Sequence, residues 1–444
     1  MSSVCLEQER VINNEQLHLT YDPAPINLHL YQPPRILRII FENKSQTVYD
    51  ISGNSNSSTG FNQKITEESY APLINQDILA NPSLSWNLYG VTGDWMSVYH
   101  PELLETLKHQ IDNGAKPPVG DTYLHIIYPF LSREHKDMLL QISKQVYRER
   151  WGVEMETIWL PESAVDQDTI SSLVASGIKG VHLREHQIIQ PKPANIHRLA
   201  TKEGEIFAIT GHNHLSGIIG FDKPWADSFF RTWQDVSKEL GYSPRLSIDG
   251  ETLGHWWKQG DGAFGFTKYL LRYLNEGLNG QYLDHSTPQN IYEASVVDNT
   301  SWSCMDNGVG RWKGSNDCYC ALPSNHQEAQ KIRESKKDLF TKLTLVSTRI
   351  DEALNLYLPE WRELYPSWFL SQRNNLATGS GITASMFSDQ TLERLLISAY
   401  IRDLGWTSCG WFFGDVNGFE RQIPANSLKT IAQIMKWSDV IPNH

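Results

Sequence analysis

The sequence predicts an α/β fold over roughly the first 275 residues, followed by a predominantly helical region. Three observations carry this expectation. Short apolar runs alternate with amphipathic helical patterns, which suits a mostly parallel sheet with crossover helices, open or closed into a barrel. Two of the runs stop abruptly at an acid beside Pro or Gly, at Pro161–Glu162 and at Asp249–Gly250–Glu251. Rigid strand ends bearing acids are typical of the functional face of a β/α barrel. From residue 324 onward the helical period takes over.

In chain order, residues 1–24 read as a polar lead-in, and 26–31 (INLHLY) alternate as a strand closed by Gln32–Pro33–Pro34. The Ser/Asn/Gly-rich stretch 43–65 reads as a surface loop. Residues 101–113 set Leu103, Leu104, Leu107 and Ile111 at helical spacing. A buried strand is expected at 123–130 (YLHIIYPF), then an amphipathic helix at 132–150 leading to the run that delivers Glu162. A helix at 166–176 ends at Gly177 as its C-cap. Strands at 178–183 and 206–210 and a helix at 225–240 precede the run Leu246–Ile248. After a helix at 264–275 the texture changes. Residues 299–322 are irregular and rich in Trp, Cys, Gly and Asp. Helices then follow at 325–358, 388–404 (with Ser388 as N-cap) and 427–437. The expected division is a barrel over 1–275 and a helical subdomain over 276–444 that closes over its cleft.

Composition narrows the function classes. Of 444 residues, 40% are hydrophobic and 20% charged, enough for a sizeable core. With 39 basic against 51 acidic residues the formal charge is −12, which argues against nucleic acid or an anionic membrane as partner. No apolar run is long enough to cross a bilayer, and MSSVCLEQER lacks the features of a secretion signal, so a cytoplasmic address is expected. Five cysteines, odd in number and unevenly placed, do not suggest a disulfide framework. Cys304, Cys318 and Cys320, joined by Cys409 or a histidine, would be an unusual metal set; reduced, packed thiols are the better reading. Fifteen Trp, 18 Tyr and 15 Phe make the chain aromatic-rich. Indoles stack on the C–H faces of sugar rings, although Trp is equally a core residue.

Two carboxyls on strand ends suit a nucleophile and a proton donor acting on a glycosidic bond, whereas Glu162 alone would be read as a strand-end ion pair. The motifs go further. WLPES (Trp159–Ser163), DGETLGHWW (Asp249–Trp257), HLYQP (His29–Pro33) and LSGIIGF (Leu215–Phe221) resemble, in combination, those of glycoside hydrolase family 57. That family includes α-amylases, 4-α-glucanotransferases and branching enzymes. TSWSC, GVGRW and DCYC (within 300–320) and SCGWFF (408–413) look closest to an uncharacterised branch of it. The resemblance implies an incomplete (β/α)7 barrel followed by a helical bundle, with Glu162 as nucleophile and Asp249 as general acid/base. It also implies that His29, His125, Trp159, Glu251, His255, Trp256, Trp411 and Asp415 border the substrate. An α-glucan or oligosaccharide substrate is implied, and no cofactor or metal.

The sequence departs from the family pattern at Tyr31, at Gly93–Leu103 (where a glutamate is expected), at Gly211–His214 and at Gly414. A glucan-binding relative without activity is therefore one alternative. The other is a zinc-dependent deacetylase or α-mannosidase-like enzyme using His182, His186 and Asp249.

Overall fold

The computed structural model describes residues 11–12, 24–53, 60–258, 260, 262–283, 291–315, 322–412 and 418–440. Cys5, Cys318, Cys320 and Asp415 lie outside the described residues.

The strands that position the site are β1 (Ile26–Leu30), β2 (Leu84–Leu88), β3 (Thr157–Trp159), β4 (Gly180–Arg184), β5 (Glu205–Gly211) and β6 (Leu246–Asp249). They form two sheets. In the first, β6, β1 and β2 are parallel, with Asp249 beside His29 and His29 beside Asn87. In the second, β3, β4 and β5 are parallel, with Trp159 beside His182. The sheets are not joined by continuous ladders. Val119 donates to Trp86 O at 2.7 Å, Gly120 bridges to Ile158, and Gly211 bridges to Arg245. Single contacts thus close the ring at two seams, with residues 119–120 standing where a seventh strand would be. This is an incomplete barrel of the expected kind.

The expected strand at 123–130 is not one. Its backbone turns towards the helical region: Ser408 N–H donates to His125 O at 2.7 Å, Ile126 pairs with Thr407, and Tyr128–Phe130 is a 3-10 turn. An apolar run cannot distinguish a strand from a buried irregular segment, and here Leu124, Ile126 and Ile127 fill the junction. The stretch read as a surface loop at 43–65 instead contains the strand Lys44–Asp50, antiparallel to Ile36–Phe41, and Ile382–Thr383 adds to that sheet.

The helices follow their local signals closely. Ser132 accepts from His135 N–H at the start of α1 (Arg133–Trp151), and Gly152 ends it at φ 73°. Asp166 caps α2 (Gln167–Ala175) by accepting from Thr169 N–H. Asn325 caps the long α3 (His326–Tyr357). At α4 (Gln390–Gly405) the cap is Asp389, one residue after the expected Ser388, because its carboxylate accepts from both Thr391 and Leu392 N–H. The last long helix, α5, runs Gln422–Met435. One hydrophobic core runs from the barrel strands into α3, α4 and α5. Residues 299–312 do not extend the helical region. They fold back over the barrel, where Val165 and Thr300 exchange backbone hydrogen bonds at 3.0 and 3.1 Å.

Candidate active site

Glu162 follows β3 directly, and Pro161 ends that strand because it has no N–H to donate. Glu162 and Ser163 both adopt left-handed backbone, with φ of 57° and 44°. Two successive non-glycine residues in this region are costly and are held from outside. Trp302 N–H donates to Glu162 O at 2.9 Å, and Gln187 Nε2 donates to Ser163 O at 2.7 Å. The bend carries the Glu162 carboxyl into the barrel mouth, where Trp302 Nε1 donates to Oε2 at 3.2 Å. Burial raises its pKa. The Arg311 guanidinium opposes this most strongly, followed by neighbouring donors.

Asp249 ends β6, in register with His29. Its pKa is pushed well above the usual carboxylate range, first by burial, then by the charges of Glu251 and Glu162; Arg184 opposes. Arg184, from the end of β4, is buried and donates to Ser247 O at 2.8 Å and Ser216 Oγ at 2.7 Å. Burial lowers its own pKa to about 10, so it remains a cation at neutral pH.

The histidines form one chain. His29 Nδ1 lies 3.3 Å from Asn87 Oδ1, His29 Nε2 lies 3.2 Å from His125 Nε2, and His125 Nδ1 meets Ser408 Oγ. Burial lowers the pKa of His29 to about 4 and that of His125 well below its usual value. With the Asn87 carbonyl facing His29 Nδ1, neutral imidazoles pass their protons along the chain in one sense. His29 Nδ1–H donates to the Asn87 carbonyl, His125 Nε2–H donates to His29 Nε2, and Ser408 O–H donates to His125 Nδ1. Trp159 stacks on His29 at 5.1 Å and on His182 at 6.0 Å, and Tyr31 stacks on His125 at 3.9 Å. These rings form the floor beneath the acids.

The other expected residues divide. Glu251 accepts from Gln32 Nε2 at 2.8 Å, and its carboxyl is pushed up by burial. His255 is tied through Nδ1 to Glu68, which also meets Lys258 Nζ at 3.0 Å. Trp256 sits edge-on to His255 at 4.5 Å and is 60% exposed, a flat surface beside the acid-bearing turn. Trp411, by contrast, is 0% exposed, stacks on Trp406 at 5.3 Å, and spends its indole N–H on Gly405 O at 3.0 Å. This corrects the expectation that it borders substrate: Trp411 is a core residue of the helical region. Among the residues that sequence reasoning missed are Asn87, Arg184, Gln32 and Trp302. Gln32 lies within HLYQP, and Trp302 within TSWSC, so both had a local signal. Asn87 and Arg184 reach the site only through strand register.

Among the described residues no three His, Cys, Asp or Glu side chains are grouped to hold a metal ion. Both ring nitrogens of His186 are engaged, by Ser301 O at 3.0 Å and Asn213 Nδ2 at 2.9 Å. The zinc alternative therefore finds no ligand set there. Among the described residues, Cys304 and Cys409 are not joined in a disulfide.

The sequence profile described as glycosyl hydrolase family 57 matches residues 16–298. No curated protein matches the chain. Among solved structures, an exo-type maltose-forming amylase from Pyrococcus sp. ST04 is similar, at TM-score 0.66 and 15% identity, over 93% of this chain and 79% of that one. A GH57-type branching enzyme from Pyrococcus horikoshii gives TM-score 0.62 and 13% identity, over 92% and 89%. The α-amylase AmyC from Thermotoga maritima gives 0.59 and 13%, over 93% and 92%. At these identities the likeness establishes the fold, a (β/α)7-type barrel followed by helices.

Proposed function

The chain belongs to glycosyl hydrolase family 57, and from that premise we propose that it is a retaining enzyme of α-glucans, with Glu162 as nucleophile and Asp249 as general acid/base. Membership makes it a glycoside-hydrolase-type enzyme. The observation that supports these roles is the contrast between two acids in one barrel mouth, Glu162 buried and Asp249 partly buried. Asp249 feels the like charges of Glu251 and Glu162, which favour its protonated form, whereas Glu162 has a guanidinium and an indole N–H that favour its anion.

In the first step the Glu162 carboxylate attacks the anomeric carbon, the glycosidic C–O bond breaks, and Asp249 gives its proton to the departing oxygen. An ester links sugar and Glu162. In the second step water or a sugar hydroxyl attacks the same carbon while Asp249 takes its proton, and Glu162 leaves as a carboxylate. Electrons and protons balance without a cofactor. The Asn87–His29–His125–Ser408 chain would bind and orient hydroxyls of the sugar nearest the acids, with Trp159 beneath them. Trp256 would stack a sugar farther along the glucan. In this reading residues 1–275 carry the chemistry, and the helical region within 276–444 closes over the bound chain. An α-glucan is the substrate class acted on by the structurally similar amylases and branching enzyme, and the sugar-stacking aromatic surfaces suit it.

Product analysis tests the reading. Incubation with maltoheptaose and amylose should give shorter oligosaccharides, or shorter and longer ones together; Glu162→Gln should give none, and Asp249→Asn should give them at least about a hundredfold more slowly. No change in either glucan by folded wild-type protein would overturn it.

A further inference from the structure

We infer that Trp302 is a positioning residue for Glu162, supplied by a segment that lies beyond the residues matching the family profile. The inference rests on the nucleophile reading of Glu162 and extends it to residues 299–312. This stretch contributes no long element to the fold. What it contributes is a second wall for the turn that carries the acid.

The attachment is made at several points. Thr300 and Val165 pair as an antiparallel bridge, so 300–302 runs beside 162–165. Trp302 then makes two bonds to one residue: its backbone N–H reaches Glu162 O at 2.9 Å and its indole N–H reaches Glu162 Oε2 at 3.2 Å. The first holds a left-handed backbone that a β-carbon disfavours, and the second fixes the carboxylate torsion. A nucleophile held at both its backbone and its carboxylate loses little freedom on reaching the transition state.

The ring faces of Trp302 are also occupied. Trp159 meets it edge-to-face at 5.2 Å and His29 at 5.9 Å, and the Arg184 guanidinium carbon lies 5.0 Å from its centre. Arg184 in turn donates to Ser247 O, two residues before Asp249 on β6. One indole therefore touches the proposed nucleophile by its N–H and, by its face, the cation packed against the strand of the proposed acid/base. The segment is anchored from behind by Arg311, which donates to Ser303 O at 2.9 Å and Phe412 O at 3.2 Å. The other groups whose charge or dipole bears on Glu162 are Arg311, Ser303, Ser408, Asp249, Tyr89 and Cys409. Trp302 is distinctive among them in binding both the backbone and the carboxylate.

The test combines kinetics with a readout that needs no turnover. In full-length protein labelled with 15N at tryptophan, the Trp302 indole resonance is identified by its loss in Trp302→Phe. It should shift with pH in wild type, following one carboxyl ionisation, and that titration should vanish in Glu162→Gln. On maltoheptaose, Trp302→Phe should lower kcat by about ten- to a hundredfold, the worth of one hydrogen bond to a charged group, with KM nearly unchanged. The acidic limb of its kcat/KM profile should move to higher pH, because a donor that favours the anion is gone. An indole resonance indifferent to Glu162→Gln would overturn the inference, as would a Trp302→Phe variant with wild-type kcat and pH profile. A wild-type protein inert towards maltoheptaose whose indole still reports Glu162 would overturn the α-glucan reading and support the contact.

Discussion

Asp249 and Glu162 are both raised above the ordinary carboxylate range, yet their neighbours pull them apart. In the proposed roles turnover needs Glu162 ionised and Asp249 protonated, so rate should fall as pH drops through the first pKa and as it rises through the second. Since burial raises both, the bell should be displaced to higher pH than unshifted carboxyls would give. Arg184 lowers the Asp249 value, so Arg184→Met should carry the basic limb to higher pH, measured as kcat/KM against pH with melting temperature followed in parallel. Asp249→Asn should cost about 10²–10⁴-fold in kcat/KM, the usual worth of a proton-transfer group. Trp411 tests the assignment of core against cleft. Trp411→Ala should lower stability by about 3–5 kcal/mol in urea titration, with KM for maltoheptaose little changed in the folded fraction.

At the scale of elements, the site depends on where strands stop and what lies between them. The acids were legible in the sequence because each terminates an apolar run next to Pro or Gly, a local signal. Helix starts at Ser132, Asp166 and Asn325 were legible for the same reason, since a cap needs only the next few residues. The segment 123–130 was misread because its backbone partners, Trp406–Ser408, lie far along the chain. The strand Leu84–Leu88, and with it Asn87, went unseen because a short run buried on both faces has no alternation to show. Residues 119–120 occupy the place of a missing strand, and Gly120 is required there. A Cβ on Gly120 would lie 2.5 Å from Thr157 O and 2.2 Å from Met155 Cγ. Gly120→Ala should therefore cost about 1–3 kcal/mol in chemical denaturation, by forcing apart the seam between β2 and β3.

Across the whole molecule, buried carboxyls join the barrel to the helical region. Asp94, before the barrel seam, meets Arg150 at 2.7 Å and Arg373 at 2.6 Å, and Tyr123 O–H donates to it at 2.9 Å. Asp403 of α4 meets His135 of α1 at 2.9 Å and Arg402 at 2.9 Å. Their partners hold both carboxyls below the ordinary range despite burial. For such groups the stabilisation is complete above the unfolded-state pKa and is lost as pH falls through the folded value. Acid unfolding should accordingly be cooperative across both halves, and Asp94→Asn should lower stability at neutral pH by on the order of 3 kcal/mol while flattening the acid side of the stability curve, read by circular dichroism. This scaffolding holds the ends of β3 and β6, whose acids Glu162 and Asp249 are the proposed pair of a double displacement. The direct measurement is 1H NMR of the anomeric protons as wild-type protein, Glu162→Gln and Asp249→Asn act on maltoheptaose. A double displacement makes every newly formed anomeric centre, free or glycosidic, appear first as α with wild type, and leaves no turnover with Glu162→Gln. A newly formed centre of β configuration, or wild-type turnover by Glu162→Gln, would contradict it.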